Sequence, residues 1–99
     1  MSTGDLEAAN EHSDRNRPEV LASDRCGCFC CGALFPPSAI WNWLDTTDPH
    51  TAFCPACGIN AVLGSASGLP ITEEFLHEMN ERWFGDGTLW EPGEYQPLF

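Results

Sequence analysis

Cysteine is the residue type in this sequence best suited to chemistry, and its spacing indicates metal binding. Cys28 and Cys31 form a C-x-x-C-G stretch, and Cys54 and Cys57 form a second stretch, C-P-x-C-G, after an interval of 22 residues. Two residues between paired cysteines let the chain turn so that both sulfurs face one cation at about 2.3 Å. The glycine that follows permits a turn with positive φ. The pattern predicts one zinc ion per chain, bound by all four thiolates.

Other chemistries also use C-x-x-C pairs. A thioredoxin-like dithiol expects one pair at the start of a helix in a βαβ unit, and neither pair has that setting. Iron or an iron–sulfur cluster takes four thiolates as well, so the ligands alone leave iron as an alternative to zinc. Catalytic zinc is disfavoured because four thiolates close the tetrahedron and leave no position for a water molecule.

Cys26 and Cys30 remain outside this ligand set. Each lies next to it and could replace a ligand, but only the pairing of Cys28 with Cys31 reproduces the C-x-x-C-G form. We expect Cys30 to lie inside the first turn with a partly exposed thiol. It is then either an ordinary small residue or a site whose oxidation ejects the metal. His50, four residues before the second pair, is an alternative ligand, although a solvated turn residue is the simpler interpretation.

No set of side chains predicts an enzyme. The sequence has no P-loop, no dinucleotide-binding glycine motif and no HExxH zinc motif, and it offers no clear catalytic triad. Its carboxylates fall on a predicted helix face and in loops, where exposure to solvent explains them. We therefore expect a binding protein rather than a catalyst.

The charge balance disfavours several classes of partner. The 99-residue chain has 15 Asp and Glu against four arginines and no lysine, for a net charge of −11. Residues 26–99 hold one arginine and nine acids, so this part alone carries −8. Direct binding to nucleic acid or to anionic lipid is disfavoured, because both depend on Lys and Arg. No apolar run approaches the roughly 18 residues of a membrane span, and the polar N-terminus is unlike a signal peptide, so we expect a cytoplasmic protein.

Apolar patterning predicts where the chain is ordered. Because the first 25 residues contain few large apolar side chains, we expect a flexible acidic tail over residues 1–25. A helix near 5–12 that forms only on a partner is the alternative. Short strands are expected within residues 40–44, 51–54 and 59–63, which are β-prone and bounded by turn residues.

One clear helix is predicted, over residues 73–84. Thr72 is a suitable N-cap, and Gly85 follows the helix end. The segment after it has two Pro and two Gly without periodicity, and should cover the core as irregular chain or form a contact surface. The fold class predicted for residues 26–99 is a small zinc-stapled α+β domain. It has zinc-ribbon-like knuckles, short antiparallel strands and one C-terminal helix, and the metal compensates for the small core.

Residues 26–84 resemble a group of short bacterial cytoplasmic proteins of uncharacterised function. The likeness lies in CGCFCCG and CPACGIN, in the loop GSASG, and in PIT followed by a helix that ends in WF. An Asp-Ser pair commonly follows the second knuckle in that group, whereas this chain has Asn60 and Ala61. The resemblance implies a zinc-ribbon-like protein with a cytoplasmic location, and no particular activity.

Aromatic side chains are the candidates for partner binding. Because Trp and Tyr dominate binding hot spots, Trp41, Trp43, Trp90 and Tyr95 are the predicted anchors, unless they form the core. We expect a protein-interaction module whose partner is a basic protein, and self-association is also open. The alternatives are an inhibitor or immunity-type protein that neutralises a basic nuclease, and a zinc ribbon associated with nucleic acid inside a larger complex.

Overall fold

The computed structural model describes residues 3–85 and 89–95, which form a small α+β structure. The helices are α1 (Thr3–Glu11), α2 (Arg17–Leu21) and α3 (Glu73–Trp83). The strands are β1 (Cys26–Cys28), β2 (Ala33–Phe35), β3 (Trp43–Leu44), β4 (Thr51–Ala52), β5 (Val62–Gly64) and β6 (Gly93–Glu94). Within these ranges, no helix combines the length and the apolar character that crossing a membrane requires.

A four-stranded sheet in the order β5-β1-β2-β6 forms the centre of the molecule. β1 pairs antiparallel with both β2 and β5, whereas β6 runs parallel to β2. Every residue of β1, β2 and β5 is buried, so the sheet is covered on both faces. β3 and β4 pair in a separate antiparallel hairpin. The three predicted strand regions therefore each contain a strand, although β3 and β4 are only two residues long.

Helix α3 packs across this sheet. Its Thr72 N-cap is confirmed, because the Thr72 hydroxyl accepts a hydrogen bond from the Phe75 N–H at 3.2 Å. The buried face includes Leu76 and Met79, which are fully enclosed. The close approach depends on Gly27 in β1, since a Cβ there would lie 2.7 Å from Cδ1 of Leu76. The helix ends at Trp83, within one residue of the predicted end.

The N-terminal segment differs from the flexible tail that was predicted over residues 1–25. From residue 3 onward it forms α1 and α2, and both helices pack onto the rest of the molecule. Ala9 and Val20 are 1% and 0% exposed, so a few apolar side chains are enough to anchor this segment. The Arg82 guanidinium of α3 also donates to the Glu7 carboxylate of α1 at 2.7 Å.

Asn16 is the second residue that holds the N-terminal segment in an ordered conformation. The side chain is 3% exposed, and its Nδ2 donates to the Val62 carbonyl of β5 at 2.9 Å. Its Oδ1 accepts from the Ala52 N–H of β4 at 3.0 Å, and Nδ2 also donates to the His12 carbonyl. One amide therefore joins the N-terminal segment to both sheets, a contact that composition alone does not reveal.

The C-terminal segment packs against the core through Trp90 and Tyr95, and part of it is a regular element. The Glu91 N–H donates to the Cys31 carbonyl at 2.8 Å, and the Tyr95 N–H donates to the Leu34 carbonyl at 2.8 Å. Between them lies β6, which extends the sheet beside β2. The prediction of irregular chain is therefore wrong for residues 93–94, and residues 86–88 and 96–99 lie outside the described residues.

Candidate metal centre

Four cysteine sulfurs converge at one end of the sheet. The Sγ atoms of Cys28, Cys31, Cys54 and Cys57 all lie within 4.8 Å of one another. Cys28 Sγ is 3.7 Å from Cys57 Sγ, and Cys31 Sγ is 3.7 Å from Cys54 Sγ. A regular tetrahedron with metal–sulfur bonds of about 2.3 Å has sulfur–sulfur edges of roughly 3.8 Å. The predicted ligands thus come together with the spacing that a tetrahedral metal ion requires.

Two equivalent turns aim these sulfurs inward. In the first, the Gly32 N–H donates to the Cys28 carbonyl at 2.7 Å, and in the second the Gly58 N–H donates to the Cys54 carbonyl at 3.0 Å. The two glycines have φ of +82° and +80°, a conformation that a side chain would strain. The glycine after each cysteine pair is therefore required by the turn.

Backbone N–H groups point at the sulfurs. The Cys30 N–H donates to Cys28 Sγ at 3.3 Å, and the Ala56 N–H donates to Cys54 Sγ at 3.3 Å. The Cys57 N–H approaches Cys54 Sγ at 3.5 Å. Such donors offset the negative charge that four thiolates bring to a metal, and they orient each sulfur.

The four thiols share their protons as one group. Hydrogen bonding with Cys31, Cys54 and Cys57 raises the pKa of Cys28, while hydrogen bonding with Cys28, Cys31 and Cys54 lowers the pKa of Cys57. Hydrogen bonding with Cys28 and Cys31 also lowers the pKa of Cys54. At Cys31 the bond with Cys28 lowers the pKa, but the bonds with Cys54 and Cys57 outweigh it and the pKa is raised. A cation is needed to hold all four groups as thiolates at once.

Hydrogen bonds hold the first turn to the rest of the fold. The Phe29 N–H donates to the Ala61 carbonyl at 3.0 Å, which links the first turn to the chain leading into β5. Asn80 of α3 is 3% exposed, and its Nδ2 donates to the carbonyls of Phe29 and Cys30 at 3.1 Å and 3.0 Å. Helix α3 therefore holds the first turn in place through a single buried amide.

The remaining cysteines and His50 are not brought into the ligand set. Cys26 is 0% exposed in β1, and burial raises its pKa to about 12. Cys30 is 4% exposed, so the prediction of a partly exposed thiol is wrong. Nδ1 of His50 lies 3.3 Å from the Arg17 guanidinium, and the Arg17 N–H donates to the His50 carbonyl at 3.0 Å.

The predicted partner-binding aromatics occupy different surroundings. Trp41 is 75% exposed, whereas Trp43, Trp90 and Tyr95 are half-buried against the core. The Arg17 guanidinium lies over the Trp43 ring at 4.7 Å, and the Trp90 ring packs edge-on against His77 at 5.3 Å. Of the four candidates, only Trp41 presents most of its surface to solvent.

The C-terminal segment also packs beside the four-cysteine cluster. A Cβ at Gly32 would lie 2.8 Å from the Trp90 ring, so that ring rests directly on the first turn. Leu89 and Glu91 line a small cleft of about 250 Å³ together with Cys31, Ala56 and Cys57. Access to two of the four sulfurs therefore passes beside this segment.

Asn16 and Asn80 are the structural residues that sequence reasoning missed. Each is an asparagine next to or within a helix, where the residue type is ordinary. The only signal available for Asn80 was its position on the apolar side of α3, beside Phe75, Leu76 and Met79. A polar side chain among buried residues needs hydrogen-bond partners, and here those partners are the carbonyls of the first turn.

Comparisons with families of known proteins, with curated proteins and with solved structures find no match for this chain. The resemblance to short zinc-ribbon-like bacterial proteins stays a prediction, and the site is described by its own geometry.

Proposed function

We propose that this protein is an acidic protein-interaction module with one structural zinc ion, and that its partner is a basic protein. The observation that carries the metal part of the proposal is the closed set of four cysteine sulfurs within 4.8 Å. Such a set leaves no position for substrate or water, so the metal would serve folding rather than catalysis.

Zinc suits this site better than iron on chemical grounds. Four thiolates accept either metal, but zinc is not redox-active, which suits a site that only stabilises the fold. Metal analysis of the purified protein is expected to give one zinc per chain. If the purified protein is coloured and shows thiolate-to-iron absorption bands, the bound metal is iron and the zinc part of this proposal is wrong.

The partner's chemistry is inferred from charge and exposure. Residues 26–99 carry a net charge of −8, to which a zinc ion bound by four thiolates adds about −2. The exposed Trp41 provides a rigid aromatic anchor of the type found at binding hot spots. A net negative charge on the domain that carries this anchor favours a basic protein and disfavours nucleic acid.

The test measures binding to a purified partner, because recovery of a protein from a lysate is not sufficient evidence of a specific interaction. The tagged protein is used to recover a partner, which is then purified and titrated against the wild-type chain and the variant Trp41→Ala at several salt concentrations. We expect a basic partner, an affinity that falls as salt rises, and a loss of about tenfold or more on Trp41→Ala. Binding to DNA or RNA at physiological salt, or a partner whose affinity ignores salt, would overturn the proposal.

A further inference from the structure

A groove of about 540 Å³ lies between the N-terminal segment, the end of α3 and the two metal-binding turns. Glu11 and Asp14 line it on the N-terminal side, and Asn60 lies on the side of the second turn. Its apolar wall includes Trp83 and Phe84, which are 37% and 40% exposed, while Phe29 is 3% exposed and packs against Phe84 with ring centroids 5.8 Å apart. The groove therefore combines carboxylates with aromatic rings in one recess.

The charged side chains that line this groove are all acidic. Within the described residues no Lys or Arg lines it, and both Glu11 and Asp14 are exposed at its rim. Asp14 accepts only a long hydrogen bond, from the Thr51 hydroxyl at 3.3 Å. These carboxylates can bind a cation without giving up a strong internal partner.

Aromatic surface beside carboxylates is the surrounding that a guanidinium prefers. Arginine is planar, stacks on aromatic rings and donates to carboxylates through a fixed fork. The chain uses the same contact internally, since Arg17 lies over the Trp43 ring at 4.7 Å. Arg82 lies over the ring of Trp83 at 4.4 Å, so this groove residue already carries a guanidinium, and Phe84 is the exposed ring that remains for a ligand. A phosphate or a carboxylate ligand would instead be repelled by Glu11 and Asp14.

We infer that this groove receives an arginine side chain of the basic protein partner, with Glu11 and Asp14 binding the guanidinium and the exposed ring of Phe84 packing on its planar face. This inference rests on the proposed function and locates one contact of that interface. The groove is separate from the exposed Trp41, which does not line it.

The direct test uses a peptide probe and does not need the partner. The full-length, metal-loaded protein labelled with ¹⁵N is titrated with the peptide acetyl-Gly-Gly-Arg-Gly-Gly-amide, and the amide resonances are followed. We expect shifts concentrated at residues 10–14, 60–61 and 83–84. The same peptide with citrulline, which is isosteric and uncharged, should leave these resonances in place. Equal shifts with citrulline, or shifts spread over the whole acidic surface, would overturn the inference.

Matched variants separate the groove from general acidity. Glu11→Gln with Asp14→Asn removes two charges from the groove, while Asp24→Asn with Glu74→Gln removes two charges at exposed positions elsewhere. The first pair of substitutions is expected to weaken binding of the arginine peptide about fivefold, which is the effect expected for two exposed carboxylates. The second pair should change the affinity little. An equal effect of both pairs would overturn the groove as the binding site. Spectra of each variant without peptide, together with its zinc content, establish that it is folded.

The same variants distinguish failure of this inference from failure of the proposed function. If the partner binds the groove variant as tightly as the wild type, while Trp41→Ala weakens it, the interaction module stands and the groove assignment is wrong. If the arginine peptide binds the groove but no basic partner is found, the recognition chemistry stands and the proposed function is wrong.

Discussion

Asn80 shows at the scale of one residue how the metal turn is held. Its amide is buried, and Nδ2 donates to two successive carbonyls in the turn between Cys28 and Cys31. Replacing the amide by a carboxylate would place an acceptor against two acceptors at a site that is 3% exposed. The loss of folding stability then comes from the buried groups that are left without hydrogen bonds, and not only from the lost contact.

We expect Asn80→Asp to lower the free energy of unfolding by about 2 kcal/mol or more, because a buried donor becomes an acceptor facing carbonyl oxygens. Chemical denaturation of the metal-loaded protein measures this. Glu74→Gln, an exposed acid–amide exchange on the same helix, is the control and should change stability by less than about 0.5 kcal/mol. Equal stability of Asn80→Asp and wild type would show that Asn80 does not hold the turn.

The cysteines divide into ligands and enclosed neighbours, and this division can be tested residue by residue. Cys54→Ser should remove the metal and unfold the domain, because three thiolates and a poor fourth ligand leave the small core without its metal. Cys26→Ala should keep one metal ion per chain, since Cys26 lies in β1 outside the sulfur cluster. Metal analysis and circular dichroism measure both outcomes. A folded, metal-free Cys54→Ser protein would contradict the structural role of the metal.

At the scale of elements, α2 is a five-residue helix that no isolated peptide would keep. Its order comes from Val20, which is 0% exposed, and from Asn16 just before it. Leu21, the next residue along, is 54% exposed although it is the larger side chain. Tertiary position, and not hydrophobicity, thus decides which of the two apolar residues stabilises the fold.

Val20→Ala is expected to cost about 2 kcal/mol of unfolding free energy, since it removes two buried methyl groups. Leu21→Ala is the matched control on the same helix and should cost less than about 0.5 kcal/mol. Thermal or chemical denaturation compares the two variants. A flexible N-terminal segment would make both substitutions neutral, so that equal and negligible effects would contradict the structure.

The C-terminal segment is the second element whose role is decided by packing. Trp90 rests on the first metal turn, and Glu91 donates its N–H to the Cys31 carbonyl at 2.8 Å. Local opening of this segment would expose Cys31 and Cys57, which line the cleft beside it. The rate at which a chelator removes the metal should therefore follow the stability of this contact.

We expect Trp90→Ala to speed metal transfer to a coloured chelator by about tenfold, because the variant loses the aromatic cover over the turn. Trp41→Ala removes the same side chain from a site that is 75% exposed and should leave the rate unchanged. Absorbance of the chelator–metal complex against time gives both rates. Equal rates for the two variants would mean that the C-terminal segment does not protect the site.

At the scale of the whole molecule, pH dependence follows from the ligand thiols. A lowered pKa, as at Cys54 and Cys57, contributes stability that is present at high pH and is lost as pH falls. A raised pKa, as at Cys28 and Cys31, contributes stability that is present at low pH and is lost as pH rises. In the metal-free protein the two pairs oppose each other. A bound cation holds all four as thiolates, so its stabilisation is lost only as pH falls.

The melting temperature of the metal-loaded protein is therefore expected to fall steeply between about pH 7 and pH 5, where protons compete with the metal for the thiolates. Chelator-treated protein should melt at a lower temperature and show a weaker dependence on pH over the same interval. Differential scanning calorimetry with metal analysis at each pH measures both. A pH dependence that is identical with and without the chelator would show that the thiolates hold no stabilising metal.

Local sequence was sufficient for the features that depend on neighbours in the chain. The C-x-x-C-G stretches specified both cysteine turns, because two-residue spacing and a following glycine act within five residues. Thr72 specified the start of α3, because its hydroxyl bonds an N–H three residues away. The net negative charge followed from residue counts alone.

Tertiary structure decided everything that depends on distant partners. β1 and β2 are three-residue strands whose pairing, and not their propensity, makes them strands. The order of residues 3–25 depends on Asn16 reaching β4 and β5, which are at least 35 residues away in the chain. Asn80 of α3 bonds the Cys30 carbonyl from 50 residues away, and β6 pairs in parallel with β2, from which it is far apart in the chain. Short-range rules determine turns and caps, whereas burial depends on contacts between segments that the linear sequence keeps apart.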